Sequence, residues 1–126
     1  FLSSLLVLGM LAACGSAPES GPAEAVSAYH QALVDKDADR LATLSCAAWE
    51  AQARNELASF GAVEAALEDL ACQEAGEAEG YTLVNCSGVI RANYGAEVLE
   101  IDLSGRTYQA AFEGGEWRMC GYPGYR

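Results

Sequence analysis

Apolar residues recur at helical spacing from residue 22 onward. Val26, Tyr29 and Leu33 fall on one face of a stretch that begins at Pro22, and proline is favoured in the first turn of a helix. This pattern predicts a first helix over residues 22–34.

The next polar residues predict a helix boundary. Asp35-Lys36-Asp37 interrupts the apolar pattern, and Asp37 or Asp39 can cap a second helix with its carboxylate. We expect this helix to continue through the Ala- and Glu-rich stretch to about Phe60, where Gly61 interrupts the pattern. A further turn or helix is expected over Val63–Leu70.

The hydrophobic period changes to two in the second half of the chain. Leu99, Ile101 and Leu103 alternate with acidic residues, as in a half-buried strand, and Tyr81–Asn93 is rich in β-formers. Turns are predicted at residues 76–80, 104–105 and 114–115. Helices followed by an antiparallel meander predict an α+β fold, with N-terminal helices packed on a curved antiparallel sheet.

The first thirteen residues carry no charge and no proline, and they are too short to span a bilayer. They end in Leu11-Ala12-Ala13-Cys14, which resembles the lipobox of bacterial lipoproteins. That resemblance implies cleavage before Cys14 and acylation of its sulfur. The alternative is an ordinary secretory signal cut nearby; because the usual Met and basic segment are missing, we expect truncation at the N-terminus.

The expected organisation follows from these segments. Residues 1–13 are a cleaved signal peptide, residues 14–22 a lipidated tether, and residues 23–126 a single α+β domain. A flexible tether of this length spans about 15 Å. We therefore expect an exported protein that is held at a bacterial membrane by its lipid and faces the periplasm or the cell exterior.

Composition narrows the function classes. The 126 residues include 7 basic and 18 acidic side chains, giving a formal net charge of −11. This charge argues against nucleic-acid binding, which needs a basic surface. The glycine-rich, zinc-protease and serine-hydrolase motifs are absent from the sequence, so no cofactor and no metal are expected.

The four cysteines after Cys14 form an even set without a CxxC motif. In an oxidising compartment this set predicts two disulfides with three possible connectivities. We favour Cys72–Cys86, which flank a predicted hairpin symmetrically, and Cys46–Cys120. A strict strand alternation argues against the second pair, because it places Met119 on the core face and Cys120 on the opposite face.

The order of elements adds a family resemblance. The Tyr-containing first helix, the break at residues 35–39 and the closing Ala-Phe-Glu-Gly-Gly-Glu-Trp-Arg-Met-Cys hairpin resemble small lipoproteins of the nuclear transport factor 2-like (cystatin-like) superfamily. The resemblance covers residues 22–122. It implies a curved sheet around helices, often enclosing a conical pocket, but that superfamily includes isomerases, dehydratases, ligand binders and interaction modules.

The candidate sites are few. His30, the only histidine, is expected to face solvent or to have satisfied hydrogen bonds at an interface. Asp35, Asp37 and Asp39 resemble the opening of a calcium loop, but Arg40 and Cys46 occupy positions that need Gly and Glu. We interpret the aspartates as a helix break and cap.

An isomerase-type reaction would need a carboxylate and an oxyanion donor in the cone, and Asp102 with Tyr29 or Tyr94 would be the available pieces. Six aromatic residues are expected in the core, with pocket lining as the alternative: Trp49, Phe60, Tyr81, Tyr94, Phe112 and Trp117. Six acidic residues are expected to form a solvated face: Glu64, Glu68, Asp69, Glu74, Glu77 and Glu79.

The sequence therefore favours a membrane-anchored lipoprotein that acts as a binding or interaction module without catalysis. The expected partners are the membrane, through the lipid anchor, and either another envelope protein or a small apolar ligand. An isomerase- or dehydratase-type pocket enzyme and a ligand carrier are the alternatives.

Overall fold

The computed structural model describes residues 21–124. The predicted signal peptide, Cys14 and nearly all of the tether lie outside this range. Three helices precede five strands: α1 (Pro22–Asp35), α2 (Ala38–Thr43), α3 (Glu50–Ser59), β1 (Glu64–Ala78), β2 (Tyr81–Tyr94), β3 (Glu97–Asp102), β4 (Thr107–Glu113) and β5 (Glu116–Gly121). The fold is α+β, as the sequence predicted.

Helix α1 has the limits that the sequence pattern predicts. Pro22 opens it, and the Glu24 carboxylate accepts a hydrogen bond from the Gly21 amide at 3.1 Å. The helix ends where Lys36 adopts a left-handed conformation. Asp37 then caps α2 by accepting a hydrogen bond from the Arg40 amide at 3.1 Å, which confirms it as one of the two expected caps.

The expected continuous second helix is wrong, because the chain leaves the helical path between α2 and α3. In this segment the Cys46 amide donates to the Met119 carbonyl at 2.9 Å, and the Met119 amide donates to the Leu44 carbonyl at 2.8 Å. These backbone bonds join the segment to the edge of β5 as a parallel bridge. A helix through these residues would use the same backbone groups internally, so the tertiary pairing determines the break.

The expected turn or helix over Val63–Leu70 is also wrong, since residues 64–70 are the first half of β1. Ala, Glu and Leu favour a helix as isolated residues, but here residues 64–68 pair with β2, from Glu64 opposite Asn93 to Glu68 opposite Val89. The side chains alternate between exposed Glu64 and Glu68 and the partly buried Ala65 and Leu67. Long-range pairing has overridden the local helix preference.

The five strands form one antiparallel sheet, but they do not form the expected meander. One edge of β2 pairs with β1 along nearly its whole length, and the other edge pairs with β4 in its first half and with β3 in its second half. Along this second edge of β2, the short strands β4 and β3 lie end to end. The outer edge of β4 pairs with β5.

A bend at Gly88 separates the two halves of β2. Gly88 has a φ of 102°, and its carbonyl accepts a hydrogen bond from the Leu103 amide where β3 ends. On the neighbouring strand, the register slips by one residue between Glu68 and Ala71. Such a bulge bends and twists the strand that carries it.

The core lies between α1 and the sheet. Its largest fully buried side chains include Tyr29 and Leu33 of α1, Leu41 of α2, Tyr108 of β4 and Met119 of β5. Within residues 21–124, no helix is long and apolar enough to cross a membrane.

Two disulfides, Cys72–Cys86 and Cys46–Cys120, cross-link the domain. This is the pairing that the sequence favoured. Cys72 and Cys86 lie directly opposite each other on β1 and β2, with their α-carbons 4.1 Å apart. Together the two bridges indicate an oxidising, extracytoplasmic environment.

A bulge resolves the orientation of Cys120. Ala110 pairs with Met119 and Gln109 pairs with Gly121, so Cys120 is an extra residue in β5. A bulge re-aims the side chain of the inserted residue, and the expected strict alternation fails here. Cys120 thereby reaches Cys46, which the bridge to Met119 holds against the same strand.

Candidate functional site

An aromatic and polar cluster occupies the interior between α1, α3 and the sheet. We call the following six residues the interior cluster: Tyr29 and His30 from α1, Trp49 and Glu56 from the start and body of α3, Tyr108 from β4, and Tyr122 after β5. Their rings touch in sequence, from Tyr29 to His30, Tyr108, Tyr122 and Trp49, with centroids 4.8–5.9 Å apart. A hydrogen bond of 3.1 Å from the Trp49 indole to the Tyr29 hydroxyl closes the ring of contacts.

Glu56 is held by two tyrosines. The Tyr29 hydroxyl donates to Oε1 at 2.8 Å and the Tyr122 hydroxyl donates to Oε2 at 2.9 Å, so each carboxylate oxygen accepts one hydrogen bond from a tyrosine. Burial raises the pKa of Glu56, while these two hydrogen bonds and the positive charge of Arg106 lower it. Burial and the Glu56 charge raise the pKa of both tyrosines. The tyrosines therefore remain protonated donors at neutral pH.

His30 and Tyr108 have hydrogen-bonding atoms that no described protein group satisfies. His30 is 2% exposed, and neither of its ring nitrogens has a partner among the described residues. Burial and the nearby Arg106 charge lower its pKa to about 4, so the ring is neutral at pH 7. The Tyr108 hydroxyl beside it is likewise buried without a partner in the described range, and burial raises its pKa to about 12.

The cluster is closest to solvent on the side of Glu56, Tyr122 and Arg106. Glu56 and Tyr122 are half-buried, and Arg106, which directly precedes β4, is exposed. The positive charge of Arg106 lowers the pKa of Glu56, His30, Tyr108 and Tyr122. The arrangement combines a carboxylate and neutral hydrogen-bonding groups among aromatic rings, with a cation on the exposed side.

The structure corrects the expectation for His30, which neither faces solvent nor has satisfied hydrogen bonds. Of the pieces named for an isomerase-type site, only Tyr29 lies in the interior cluster. Tyr94 is 48% exposed on β2. Asp102 is exposed, and its carboxylate accepts a hydrogen bond from the Ser104 amide, which lowers its pKa. The interior carboxylate is Glu56 instead.

The six aromatic residues expected in the core divide between core and surface. Trp49 and Phe60 are buried, Tyr81 and Trp117 are partly buried, and Tyr94 and Phe112 are exposed. The core interpretation thus fails for the last two. All six residues of the acidic stretch are exposed along β1 and its following turn, as expected of a solvated face.

Sequence reasoning missed Glu56, Tyr108 and Tyr122. Glu56 carried a usable signal, because Trp49, Ala53, Glu56 and Phe60 follow one helical face and all but Glu56 are apolar. A carboxylate on such a face needs buried partners. The partners themselves, however, come from distant segments of the chain.

No metal centre is evident in the part of the chain that the structure describes, since no group of three or more His, Cys, Asp or Glu side chains is arranged to hold an ion. The chain matches no model of a known protein family, no curated protein and no solved structure. The features of the chain that bear on its function are therefore the interior cluster, the disulfides and the N-terminal sequence.

Proposed function

We propose that this protein is a membrane-anchored extracytoplasmic lipoprotein whose domain binds a small ligand at the interior cluster without catalysis. We further propose a nuclear transport factor 2-like (cystatin-like) fold, which the packing of the N-terminal helix α1 against a five-stranded antiparallel sheet supports. The Leu11–Cys14 motif supports the anchor, and the two disulfides support export.

One observation carries the assignment of a binding site. Both oxygens of Glu56 accept tyrosine hydrogen bonds, while His30 and Tyr108 beside it have buried polar atoms without a partner in the described chain. The two tyrosine hydrogen bonds stabilise the charged form of Glu56 and thereby weaken it as a general base. Unsatisfied buried polar atoms instead favour a bound molecule that supplies the missing hydrogen bonds.

Fractionation of cells that express the full chain tests the anchor. Cys14→Ala should move the protein from the membrane to the soluble fraction and remove the acyl mass. Ser16→Ala, which leaves the Leu11–Cys14 motif unchanged, should remain in the membrane. Tight membrane association of Cys14→Ala would contradict lipidation.

Native mass spectrometry of the detergent-extracted protein tests the binding site. The wild type should carry a stoichiometric extra mass, and Tyr108→Phe should lose most of it because one hydrogen-bonding group is removed. Tyr94→Phe removes the same atom from an exposed position and should keep the bound mass. A bare wild-type protein would contradict the site.

An acid–base enzyme of the isomerase or dehydratase type is the second candidate. It is favoured by the raised pKa of Glu56 beside the Tyr29 hydroxyl, since a carboxyl group with a raised pKa is suited to proton transfer near neutral pH. Glu56→Gln distinguishes the two functions. An enzyme would accumulate unreacted substrate in this variant, whereas a binding module would hold the same molecule with and without the substitution.

A further inference from the structure

An aromatic pair lies on the β4–β5 hairpin next to the start of α1, with Phe112 exposed and Trp117 partly buried. Phe112 is 63% exposed, and its ring packs edge-on against that of Trp117 with centroids 5.8 Å apart. The two rings border a groove of about 560 Å³ together with Glu24 and Ala25 from the first turn of α1. We call Phe112 and Trp117 the hairpin pair.

The hairpin pair lies close to the point where the predicted tether joins the domain. Gly21 immediately precedes α1, and Cys14 is seven residues upstream. Seven residues span about 25 Å when fully extended and about 15 Å on average when flexible. A domain of roughly 100 residues has a radius of gyration of about 13 Å, so the tether is on average shorter than the domain is wide. An anchor at Cys14 therefore holds the groove on the membrane side.

The hairpin end of the domain carries charges of both signs. Two arginines lie at this end: Arg40 borders the groove, and the Arg118 guanidinium lies beside Gly114 in the hairpin turn. Two of the nearby carboxylates are engaged within the protein, since Glu24 accepts from the Gly21 amide and Glu113 accepts from the Ala47 amide at 3.1 Å. Glu116 also borders the groove and is exposed.

The acidic stretch lies on β1, which forms the opposite edge of the sheet from β5. Lipid phosphates repel this acidic edge. The repulsion favours an orientation in which the exposed carboxylates of β1 face away from the membrane.

We propose that the hairpin pair inserts into the lipid headgroup layer and fixes the orientation of the domain on its membrane. This inference rests on the proposed lipid anchor. Aromatic rings are favoured at the boundary between headgroups and acyl chains, where the ring is apolar and the indole N–H reaches water or a headgroup. The far end of α1, where Lys36 lies near the β2–β3 hairpin, is about 21 Å along the helix from the turn that borders the groove.

The test uses the full acylated chain in phosphatidylcholine vesicles with and without brominated acyl chains, which quench nearby tryptophan fluorescence. Wild-type emission should fall in brominated vesicles, and Trp117→Phe should abolish the fall because the remaining Trp49 is buried in the domain. Phe112→Glu should reduce the quenching by removing the neighbouring ring and adding a charge. Leu99→Glu alters an apolar residue on β3 that is 50% exposed and should leave the quenching unchanged.

The outcomes separate the two proposals. An acylated protein whose quenching is the same in wild type and Trp117→Phe would overturn membrane insertion of the hairpin pair and leave the anchor in place. A chain whose intact mass shows no acyl groups would overturn both. Phe112→Ser, which adds no charge, serves as a second variant if circular dichroism shows that Phe112→Glu does not fold.

Discussion

The α-carbon of Gly88 faces the backbone of Asp69 so closely that a β-carbon on Gly88 would lie 2.6 Å from the Asp69 carbonyl oxygen. Asp69 itself has a φ of 54°, in the bulge of β1 opposite the bend of β2. The close approach lies where the register between β1 and β2 slips by one residue. The local geometry of the bulge thus depends on a backbone contact that only glycine permits.

Gly88→Ala should therefore lower the free energy of unfolding by about 3 kcal/mol or more, because the clash adds to the strain of a positive φ. Gly95→Ala is the matched control: Gly95 also has a positive φ, of 80°, but no atom lies within 4 Å of its added β-carbon. We expect this control to cost about 1 kcal/mol. Urea denaturation measures both, and equal losses would show that the contact with Asp69 contributes nothing.

The two disulfides should contribute unequally to stability. Cys46–Cys120 closes a loop with a sequence separation of 74, and Cys72–Cys86 one of 14. In the chain-entropy model, removal of the first bridge by a double Cys→Ala substitution costs about 4 kcal/mol and removal of the second about 3 kcal/mol.

Urea midpoints of the two double variants test the order of these costs. Alkylation of the unreduced protein, followed by mass mapping, should label none of the four cysteines. A greater loss from removing Cys72–Cys86 would show that loop length does not determine the stabilisation.

Acid should destabilise the fold through His30. Its folded pKa of about 4 lies below the ordinary value of 6.5, so between these pH values the unfolded chain binds a proton that the folded chain does not. The free energy of unfolding therefore decreases as the pH falls through this interval, by about 3 kcal/mol at full effect. Glu56 acts in the opposite sense, because its folded pKa is raised.

His30→Phe isolates the histidine contribution, since it keeps an aromatic ring and removes the titrating group. The difference between wild type and His30→Phe, measured by urea denaturation from pH 7 to pH 4, should show the predicted slope. Parallel curves for the two proteins would refute the assignment of this pH dependence to His30.

The two tyrosines that donate hydrogen bonds to Glu56 should contribute unequally to the free energy of unfolding. Tyr29→Phe removes a hydroxyl that is fully buried and that both donates to Glu56 and accepts from Trp49. We expect a loss of about 2 kcal/mol, against about 1 kcal/mol for Tyr122→Phe at the half-buried rim.

Thermal and urea unfolding of these variants and of the combined variants with Glu56→Gln give the coupling energies. Coupling of Tyr29 to Glu56 should exceed that of Tyr122 to Glu56. The reverse order would place the more strongly held hydrogen bond at the rim.

The sequence alone predicted the elements whose signals are local. Helix α1 follows from Pro22 and its apolar spacing, the cap of α2 from Asp37, and the hairpin of β1 and β2 from the glycines near residue 80. The α+β class follows from the change of hydrophobic period. These features depend on residues within a few positions of one another, so their physics can be read along the chain.

Tertiary structure decided the rest because the deciding partners are distant in sequence. Residues 64–70 became a strand by pairing with β2, the helix break at Leu44–Cys46 arose from hydrogen bonds to Met119, and a bulge turned Cys120 toward Cys46. The site shows the same limit: Glu56 lies on a predictable helical face, but Tyr29 and Tyr122 reach it from 27 and 66 residues away. Periodicity reveals which face of an element is buried, whereas only the fold determines which side chains meet there.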